Sequence, residues 1–424
     1  MKNRRNFLKK AGTVGIGSTL LLSNCAKPIS QTKKIWSESD LLEQFKAIDR
    51  APVVQTEKLT APVVLDRLEF YQNKKHYFLK ATSKDGAVGI ASLKPRLARI
   101  IYPIFYRMIA PLIEGQDVRN WDAMLEQIYL QKLNYKWQGF AFWVSVAYTE
   151  IAVLDMLGRI AGQSIGELLG GRVREEVDIY YASGNRENSA MEEVAHMQKL
   201  IDKSGAKAIK FRLGARMHTT DFSDARDRQL IPALRRELGD DVTIYSDANG
   251  SYSVEEAIRT GQILQEHNVA FFEEPCRFDH YEETKAVADA LDIPIAGGEE
   301  EASTRQFMWL LENRALQVVQ PDILIHGGWV RCKKIAKMAA LLGIDCTPHI
   351  SGRGLGFLYM MHFASCTPNI GAHQEFKGND DQVPVVADTT LQPKNGRISI
   401  PTKSGLGVEF DADWVRKATL IKSI

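Results

Sequence analysis

Cysteine is scarce in this chain of 424 residues. Its five cysteines, Cys25, Cys276, Cys332, Cys346 and Cys366, include no C-x-x-C pair, which excludes a zinc ribbon and a thioredoxin-type redox motif. Net charge is also low, with 54 basic against 52 acidic residues, and this excludes the broad basic surface that nucleic acid requires. Apolar residues make up 45% and charged residues 25%, which is typical of a globular protein rather than a disordered chain.

Acidic residues are absent from the first 25 residues, which contain five of the basic ones. The other residues therefore hold 49 basic and 52 acidic side chains, a net charge of −3. Arg4-Arg5, followed by Phe7-Leu8 and a mildly apolar stretch over Ala11–Leu22, resembles a twin-arginine export signal. That stretch is shorter than the roughly 20 residues of a membrane-spanning helix. We expect residues 1–25 to be such a signal and the protein to be periplasmic; an amphipathic helix is the alternative.

Cys25 raises a second question about this segment. Leu22-Ser23-Asn24-Cys25 resembles a lipoprotein cleavage box, except that a small residue is usual where Asn24 stands. A lipid anchor at Cys25 therefore stays an open alternative to a freely diffusing periplasmic protein.

Residues 51–174, after an expected linker at residues 26–50, have the pattern of a small α+β domain. Three strand-like runs separated by turns predict an antiparallel meander: Leu68–Tyr71, Tyr77–Thr82 and Val88–Ala91. Helical periodicity then covers Pro95–Ile113 and Phe140–Leu157.

Residues 175–385 alternate between strand and helix patterns. Eight short apolar runs are predicted as strands: Val177–Ala182, Ala208–Leu213, Val242–Ser246, Val269–Phe272, Ile293–Ala296, Leu316–Gln320, Gly343–Thr347 and Ile370–His373. This alternation is typical of a parallel (β/α) barrel, although a flat doubly wound sheet would produce it too. We expect residues 386–424 to pack back on the first domain.

Polar residues at the ends of the predicted strands decide between these two folds. The residues are Lys210, Arg212, Asp247, Glu273, Glu299, Asp322, His349 and Glu375. From Arg212 onward they follow one another at steps of 35, 26, 26, 23, 27 and 26 residues, each about one strand–helix unit. In a barrel such residues converge at one rim, which is where barrel active sites lie. An open sheet would spread them along a line, so a barrel is favoured.

Short motifs around these residues occur in a recognisable order. They are Lys210-Phe211-Arg212, Asp247-Ala248-Asn249, Phe272-Glu273-Glu274-Pro275, Gly298-Glu299, Gln320-Pro321-Asp322, Pro348-His349 and Gln374-Glu375-Phe376. As a set they resemble the enolase superfamily, in particular its mandelate racemase subgroup, over nearly the whole chain after the signal. The resemblance implies an α/β fold with a modified TIM barrel of (β/α)7β type and an N-terminal α+β capping domain.

Asp247, Glu273 and Glu299 place three carboxylates on neighbouring strands. Like charges this close would raise one another's pKa unless a cation neutralised them, and Mg²⁺ favours carboxylate oxygens. The resemblance implies that the three hold one Mg²⁺ per active site. Glu274 is the alternative ligand to Glu273, although the equal steps of 26 residues favour Glu273.

His349 and Asp322 follow neighbouring strands and resemble the catalytic dyad of the same subgroup. A carboxylate beside an imidazole fixes its tautomer and raises its basicity. Glu375 resembles the acidic residue of the family's final strand, which would donate a hydrogen bond to the substrate carboxylate if it were protonated.

The second barrel strand departs from the commonest family pattern, because it carries Lys210-x-Arg212 instead of Lys-x-Lys. Arginine stays protonated, so we expect Arg212 to act as an electrostatic clamp and Lys210 to contact the substrate carboxylate. With one competent base, removing a proton on one face and returning it on the other is difficult. This disfavours a racemase and favours an acid sugar dehydratase, in which His349 removes the α-proton and then protonates the leaving β-hydroxyl through a metal-stabilised enolate.

Other functions stay open. An epimerase or racemase and a sugar-lactone cycloisomerase are the nearest alternatives, and a sugar-acid binding protein is disfavoured because binding alone needs no His–Asp base. Asn249, Trp329, Arg353 and His326 are candidate substrate contacts, as are the first-domain loops at Asn73–His76 and Ser92–Arg96. We expect a small carboxylate substrate, no nucleic-acid partner and a homo-oligomer.

Overall fold

The computed structural model describes residues 36–422 except 221, 223, 351, 379–384 and 388–390. The predicted signal at residues 1–25, including Arg4, Arg5 and Cys25, lies outside the described residues. So does the first part of the expected linker, up to residue 35.

Helix α1 (Glu38–Arg50) occupies the second half of the expected linker. The Ser37 side chain caps it by accepting a hydrogen bond from the backbone N–H of Asp40. Leu41 and Phe45 are buried, and the ammonium of Lys334 donates to the backbone carbonyl of Asp49. Residues 38–50 are therefore a helix packed on the body of the protein and not a linker, with Leu41 and Phe45 on its buried face.

The first domain is built on an antiparallel sheet. Strands β1 (Leu65–Asn73), β2 (His76–Ser83) and β3 (Val88–Leu93) pair in sequence order. Its helices are α2 (Pro95–Ile104), α3 (Ala110–Ile113), α4 (Trp121–Leu130), α5 (Phe140–Ala161) and α6 (Ile165–Leu168). The single helix predicted over Pro95–Ile113 is interrupted by a π-helical turn at Phe105–Ile109, next to Pro103, which has no backbone N–H to donate.

Helix α5 is the core helix of this domain. Every residue from Phe142 to Gly158 is buried, and strand β3 packs against it. The helix is long and apolar enough to cross a membrane, but here its sides are covered by protein.

Eight parallel strands form the second domain. They are β4 (Glu176–Ala182), β5 (Ala208–Arg212), β6 (Thr243–Asp247), β7 (Phe272–Glu273), β8 (Ile295–Gly297), β9 (Val318–Val319), β10 (Asp345–Cys346) and β11 (Gln374–Phe376). Seven helices lie between them: α7 (Ala190–Ser204), α8 (Ala225–Leu238), α9 (Val254–Glu266), α10 (Tyr281–Ala290), α11 (Thr304–Glu312), α12 (Trp329–Leu341) and α13 (Leu355–Cys366).

The curled sheet returns to its first strand. Strands β4 to β10 pair in chain order and β11 pairs in parallel with β4. Cys346 in β10 forms a parallel bridge to Ile370, shortly before β11. The predicted (β/α)7β barrel is thus confirmed. One strand was misplaced by four residues: Ile370 contributes only this bridge, and the last strand begins at Gln374.

The C-terminal segment touches both domains. It contains β12 (Val385–Ala387), β13 (Arg397–Ser399), β14 (Val408–Phe410), α14 (Ala412–Arg416) and β15 (Thr419–Ile421). Strand β13 pairs with β4 of the barrel, while β15 pairs with β1 of the first domain. The phenol of Tyr106 donates to the carbonyl of Ile421 at 2.6 Å, which fixes the end of the described chain to the first domain.

Candidate active site

The functional side chains meet at the carboxyl ends of the barrel strands. Arg212, Asp247 and Glu273 are neighbours in the parallel register of β5, β6 and β7. Glu299 follows β8 by two residues. The convergence expected from the spacing is therefore present, because in-register parallel strands end at the same rim.

Lys210 lies at the centre of this rim and is fully buried. Its ammonium donates to Glu273 Oε2 at 2.6 Å and lies 3.5 Å from Glu375 Oε1 and 3.6 Å from Asp247 Oδ2. Burial lowers the pKa of Lys210, but the carboxylates of Glu273 and Glu375 raise it more, so its pKa lies above the ordinary value. Lys210 is therefore a cation that binds anions rather than a proton acceptor.

Arg212 is held rigidly beside Asp247. Its guanidinium contacts Asp247 Oδ2, donates to the carbonyl of Ser183 at 2.9 Å and donates to Asn249 Oδ1 at 3.1 Å. A guanidinium does not release its proton in proteins. The second strand thus supplies two cations, Lys210 and Arg212, and no base.

His349 and Asp322 form the expected pair. Nδ1 of His349 lies 2.7 Å from Asp322 Oδ2, and Asp322 Oδ1 accepts the backbone N–H groups of Leu324 and Ile325 at 2.7 and 3.2 Å. With the carboxylate fixed in this way, Nδ1 keeps its hydrogen and Nε2 faces the site as the acceptor. Nε2 lies 3.4 Å from Glu299 Oε2. Burial lowers the pKa of His349, but Glu299 and the hydrogen bond to Asp322 raise it above the ordinary value.

Glu375 is fully buried and surrounded by cations. Its Oε1 lies 3.0 Å from the ammonium of Lys377 and 3.5 Å from that of Lys210. Burial raises the pKa of Glu375, but Lys210, Lys377 and His349 lower it well below its usual range. This arrangement favours the ionised carboxylate, so it does not support the hydrogen bond that Glu375 would donate to a substrate carboxylate if it were protonated.

Three carboxylates of the rim suit a divalent cation. Asp247, Glu273 and Glu299 follow consecutive strands, and Glu273 Oε1 is buried without a hydrogen-bond partner among the described residues. Gln320 donates to the other oxygen, Oε2, at 2.9 Å. An orphaned buried carboxylate oxygen is costly unless an ion binds it, and hard oxygen donors are those that Mg²⁺ prefers. The donor set fits a Mg²⁺ ion.

A second group of carboxylates lies next to the first. Ligand oxygens of Glu274, Glu299 and Glu300 lie within 4.8 Å of one another. Burial and the neighbouring carboxylates raise the pKa of Glu274 well above its usual value, and burial and Glu299 raise that of Glu300 to about 8. Glu274 was considered in the sequence as a substitute for Glu273, whereas Glu300 was missed. The only signal was the run Glu299-Glu300-Glu301.

Two side chains that were expected to contact the substrate are fully buried in the protein. Trp329 is fully buried at the start of α12, where its indole N–H donates to the carbonyl of Tyr359 at 2.8 Å. His326 is fully buried and its Nδ1 contacts the carbonyl of Glu301 at 2.9 Å. Trp329 is the first residue of α12, and His326 lies in the turn before it with no hydrogen-bond partner for Nε2 among the described residues.

Asn249 reaches the site but binds protein groups with both ends of its amide. Its Oδ1 accepts from Arg212 and, at 2.6 Å, from Arg186, and its Nδ2 donates to Glu274. It therefore positions the two arginines, and its role as a substrate contact is not supported by this arrangement.

Arg353 is exposed and lies where the two domains meet. It lines a cavity together with Lys75 and His76 of the β1–β2 turn and with Ser92 and Lys94 after β3. Both first-domain loops named from the sequence, Asn73–His76 and Ser92–Arg96, thus contribute to one cavity with the barrel loop that follows His349.

Fold and site together define a barrel enzyme with an N-terminal capping domain and a carboxylate-rich rim. The chain belongs to the enolase superfamily: residues 192–414 match the family described as Enolase C-terminal domain-like. An arabinonate dehydratase of Saccharolobus solfataricus is 28% identical over 327 residues, which cover 77% of this chain and 85% of that protein. A D-galactarolactone cycloisomerase of Agrobacterium fabrum is 28% identical over 81% of this chain and 91% of that protein.

A solved structure adds a metal to this comparison. The mandelate racemase/muconate lactonizing protein of Paracoccus denitrificans, complexed with magnesium, is 27% identical. It matches 85% of this chain and 99% of its own with a TM-score of 0.75.

Proposed function

We propose that this protein is a Mg²⁺-dependent acid sugar dehydratase. The observation that carries the proposal is the His349–Asp322 pair at 2.7 Å, set opposite a second strand that offers Lys210 and Arg212 but no base. The arabinonate dehydratase supports the same reaction type, since the two chains are similar over most of their length.

Asp247, Glu273 and Glu299 would hold the Mg²⁺ ion. Bound there, the ion supplies positive charge for the carboxylate of the substrate and for the charge that builds up on it when the α-proton leaves. Lys210 adds a fixed positive charge on the same side, because its raised pKa keeps it protonated. Arg212, anchored by Ser183 and Asn249, adds a second.

His349 performs the proton transfers in this proposal. Its Nε2 accepts the proton from the carbon next to the substrate carboxylate, while Asp322 stabilises the imidazolium that forms. The C–O bond at the β-carbon then breaks, and the same proton passes from Nε2 to the departing hydroxyl, which leaves as water. The resulting enol tautomerises to a 2-keto-3-deoxy acid, so that substrate minus one water equals product.

A sugar-lactone cycloisomerase is the second candidate. It is favoured by the similarity to the D-galactarolactone cycloisomerase and needs the same single proton abstraction, followed by departure of a β-oxygen that belongs to the ring. An epimerase or racemase is less compatible with the site, because Arg212 cannot return a proton from the opposite face.

Product analysis distinguishes these candidates. A library of mono- and di-acid sugars and their lactones would be incubated with the purified protein and Mg²⁺, and keto-acid formation measured with semicarbazide and NMR. A dehydratase yields a 2-keto-3-deoxy acid from a free sugar acid. If a sugar acid changed only its stereochemistry, the protein would be an epimerase or racemase. If product formed only from lactones, it would be a cycloisomerase.

We also propose that the protein acts after export. The Arg4-Arg5 pair and the apolar stretch after it support a periplasmic location, and Cys25 supports a lipid anchor as a further step. A homo-oligomer is proposed as well. Fractionation, mass spectrometry of the mature N-terminus and light scattering would test these three points separately.

A further inference from the structure

We propose that Glu274, Glu299 and Glu300 form a second divalent-cation site next to the one formed by Asp247, Glu273 and Glu299. The second site shares Glu299 with the first and has Glu274 and Glu300 of its own. It would take a hard divalent ion such as Mg²⁺ or Mn²⁺, because all of its donors are carboxylate oxygens.

The three side chains converge in a fixed arrangement. Their ligand oxygens lie within 4.8 Å of one another. Glu274 stands directly after β7 with a positive φ of 45°, a backbone conformation that costs a non-glycine residue free energy. Its backbone N–H donates to Ala296 at 3.0 Å and its carbonyl accepts from Gly250 at 2.8 Å. The fold thus maintains Glu274 in a strained backbone conformation directly after β7.

Glu274 is buried yet incompletely partnered, which separates this group from an ordinary patch of surface acids. Its side chain is 6% exposed. Oε2 accepts from Asn249 at 3.3 Å. Oε1 accepts no hydrogen bond from an N–H or hydroxyl donor among the described residues, and the carboxyl groups of Glu274 and Glu300 are within hydrogen-bonding reach of each other. Oε2 of Glu300 is also buried and accepts no hydrogen bond from a donor among the described residues.

No cation of the protein neutralises this pair. In the part of the chain that the structure describes, no Lys or Arg nitrogen forms an ion pair with Glu274 or Glu300. Lys210 and Arg212 are bound to Asp247, Glu273 and Glu375 instead. A buried and a half-buried carboxylate without a counterion are unfavourable, so either an ion or a shared proton must compensate them.

The geometry favours an ion over a shared proton. A proton bridges two oxygens, whereas ligand oxygens of three carboxylates, those of Glu274, Glu299 and Glu300, lie within 4.8 Å of one another. A hard divalent ion takes several oxygen ligands at once.

Mn²⁺ titration of the full-length protein, followed by electron paramagnetic resonance of the free ion, tests this inference. We expect two Mn²⁺ ions per chain for the unmodified protein and one for Glu300→Gln. Glu301→Gln is the matched control and should still bind two, because Glu301 is turned away and accepts a hydrogen bond from Tyr281 at 3.2 Å. Glu274→Gln serves as the second variant if Glu300→Gln does not fold.

The variant Asp247→Asn, in the first site, distinguishes failure of the second site from failure of the proposed function. If the unmodified protein binds one ion that Asp247→Asn removes and Glu300→Gln retains, the second site is refuted, the carboxylates share a proton, and the proposed function stands. If Asp247→Asn retains one ion that Glu300→Gln removes, the second site is supported and the metal assignment of the proposed function fails. Binding of no Mn²⁺ to the unmodified protein would refute both.

Discussion

Replacing Asp322 with asparagine should disable His349 without moving it. The carboxylate Oδ1 accepts backbone N–H groups from Leu324 and Ile325 at 2.7 and 3.2 Å, so the oxygen of the new amide would be held in that position. Its NH₂ group would then face Nδ1 of His349, 2.7 Å away, and donate to it. The imidazole must consequently carry its hydrogen on Nε2, where it can no longer accept the α-proton.

The expected loss follows from the contribution of the base. General-base assistance accounts for about 10²–10⁴-fold in rate, which corresponds to about 3–5 kcal/mol of activation free energy. Steady-state kcat for keto-acid formation should fall by this factor in Asp322→Asn, while the melting temperature changes little because the shape and backbone hydrogen bonds persist. Turnover within tenfold of the unmodified enzyme would show that the pair is not the catalytic base.

Three further predictions concern the ion, the second strand and the location. Glu273→Gln should weaken Mg²⁺ binding and turnover together, because it removes charge from an oxygen donor; calorimetric titration checks this, and full activity after exhaustive chelation would contradict it. Arg212→Lys should retain more activity than Arg212→Ala and introduce exchange of the α-proton on the face opposite His349, measured by NMR in deuterated water; equal activity of the two variants would argue against the clamp. Arg4→Lys with Arg5→Lys should leave the protein in the cytoplasm, as cell fractionation would show; an unmodified protein already found there would refute export.

The barrel could be predicted from the sequence because its signal repeats. Each strand is short, apolar and followed by a polar residue, so that six steps of similar length fix the order and the rim even where single strands are ambiguous. The error at Ile370 arose because an isolated apolar run is a weak strand signal without its partners. Helix α1 was not predicted, although Ser37 is a typical N-cap residue and Leu41 and Phe45 lie four residues apart on one face; so short an apolar stripe is a weak helix signal without the partners it packs on.

The site could be predicted only as far as it depends on strand ends. Asp247, Glu273 and His349 occupy positions set by the barrel. The neighbouring side chains that shift the pKa of a site residue lie elsewhere in the chain. Lys377, which together with Lys210 lowers the pKa of Glu375, lies two residues after it on a chain segment whose direction the sequence does not reveal. Trp329 was misassigned because nearness to a strand end in sequence does not say whether a side chain faces the rim or the core.

The most direct test of the central claim is exchange of the substrate α-proton, followed by ¹H NMR in deuterated water with a sugar acid that the enzyme dehydrates. His349→Asn should lose both keto-acid formation and α-proton exchange, whereas the unmodified enzyme should convert the substrate. Lys210→Ala should bind the substrate more weakly, as a raised KM would show, yet keep exchange at saturating substrate. If His349→Asn kept exchange while Lys210→Ala lost it, the base would lie on the second strand and the assignment of His349 would be wrong.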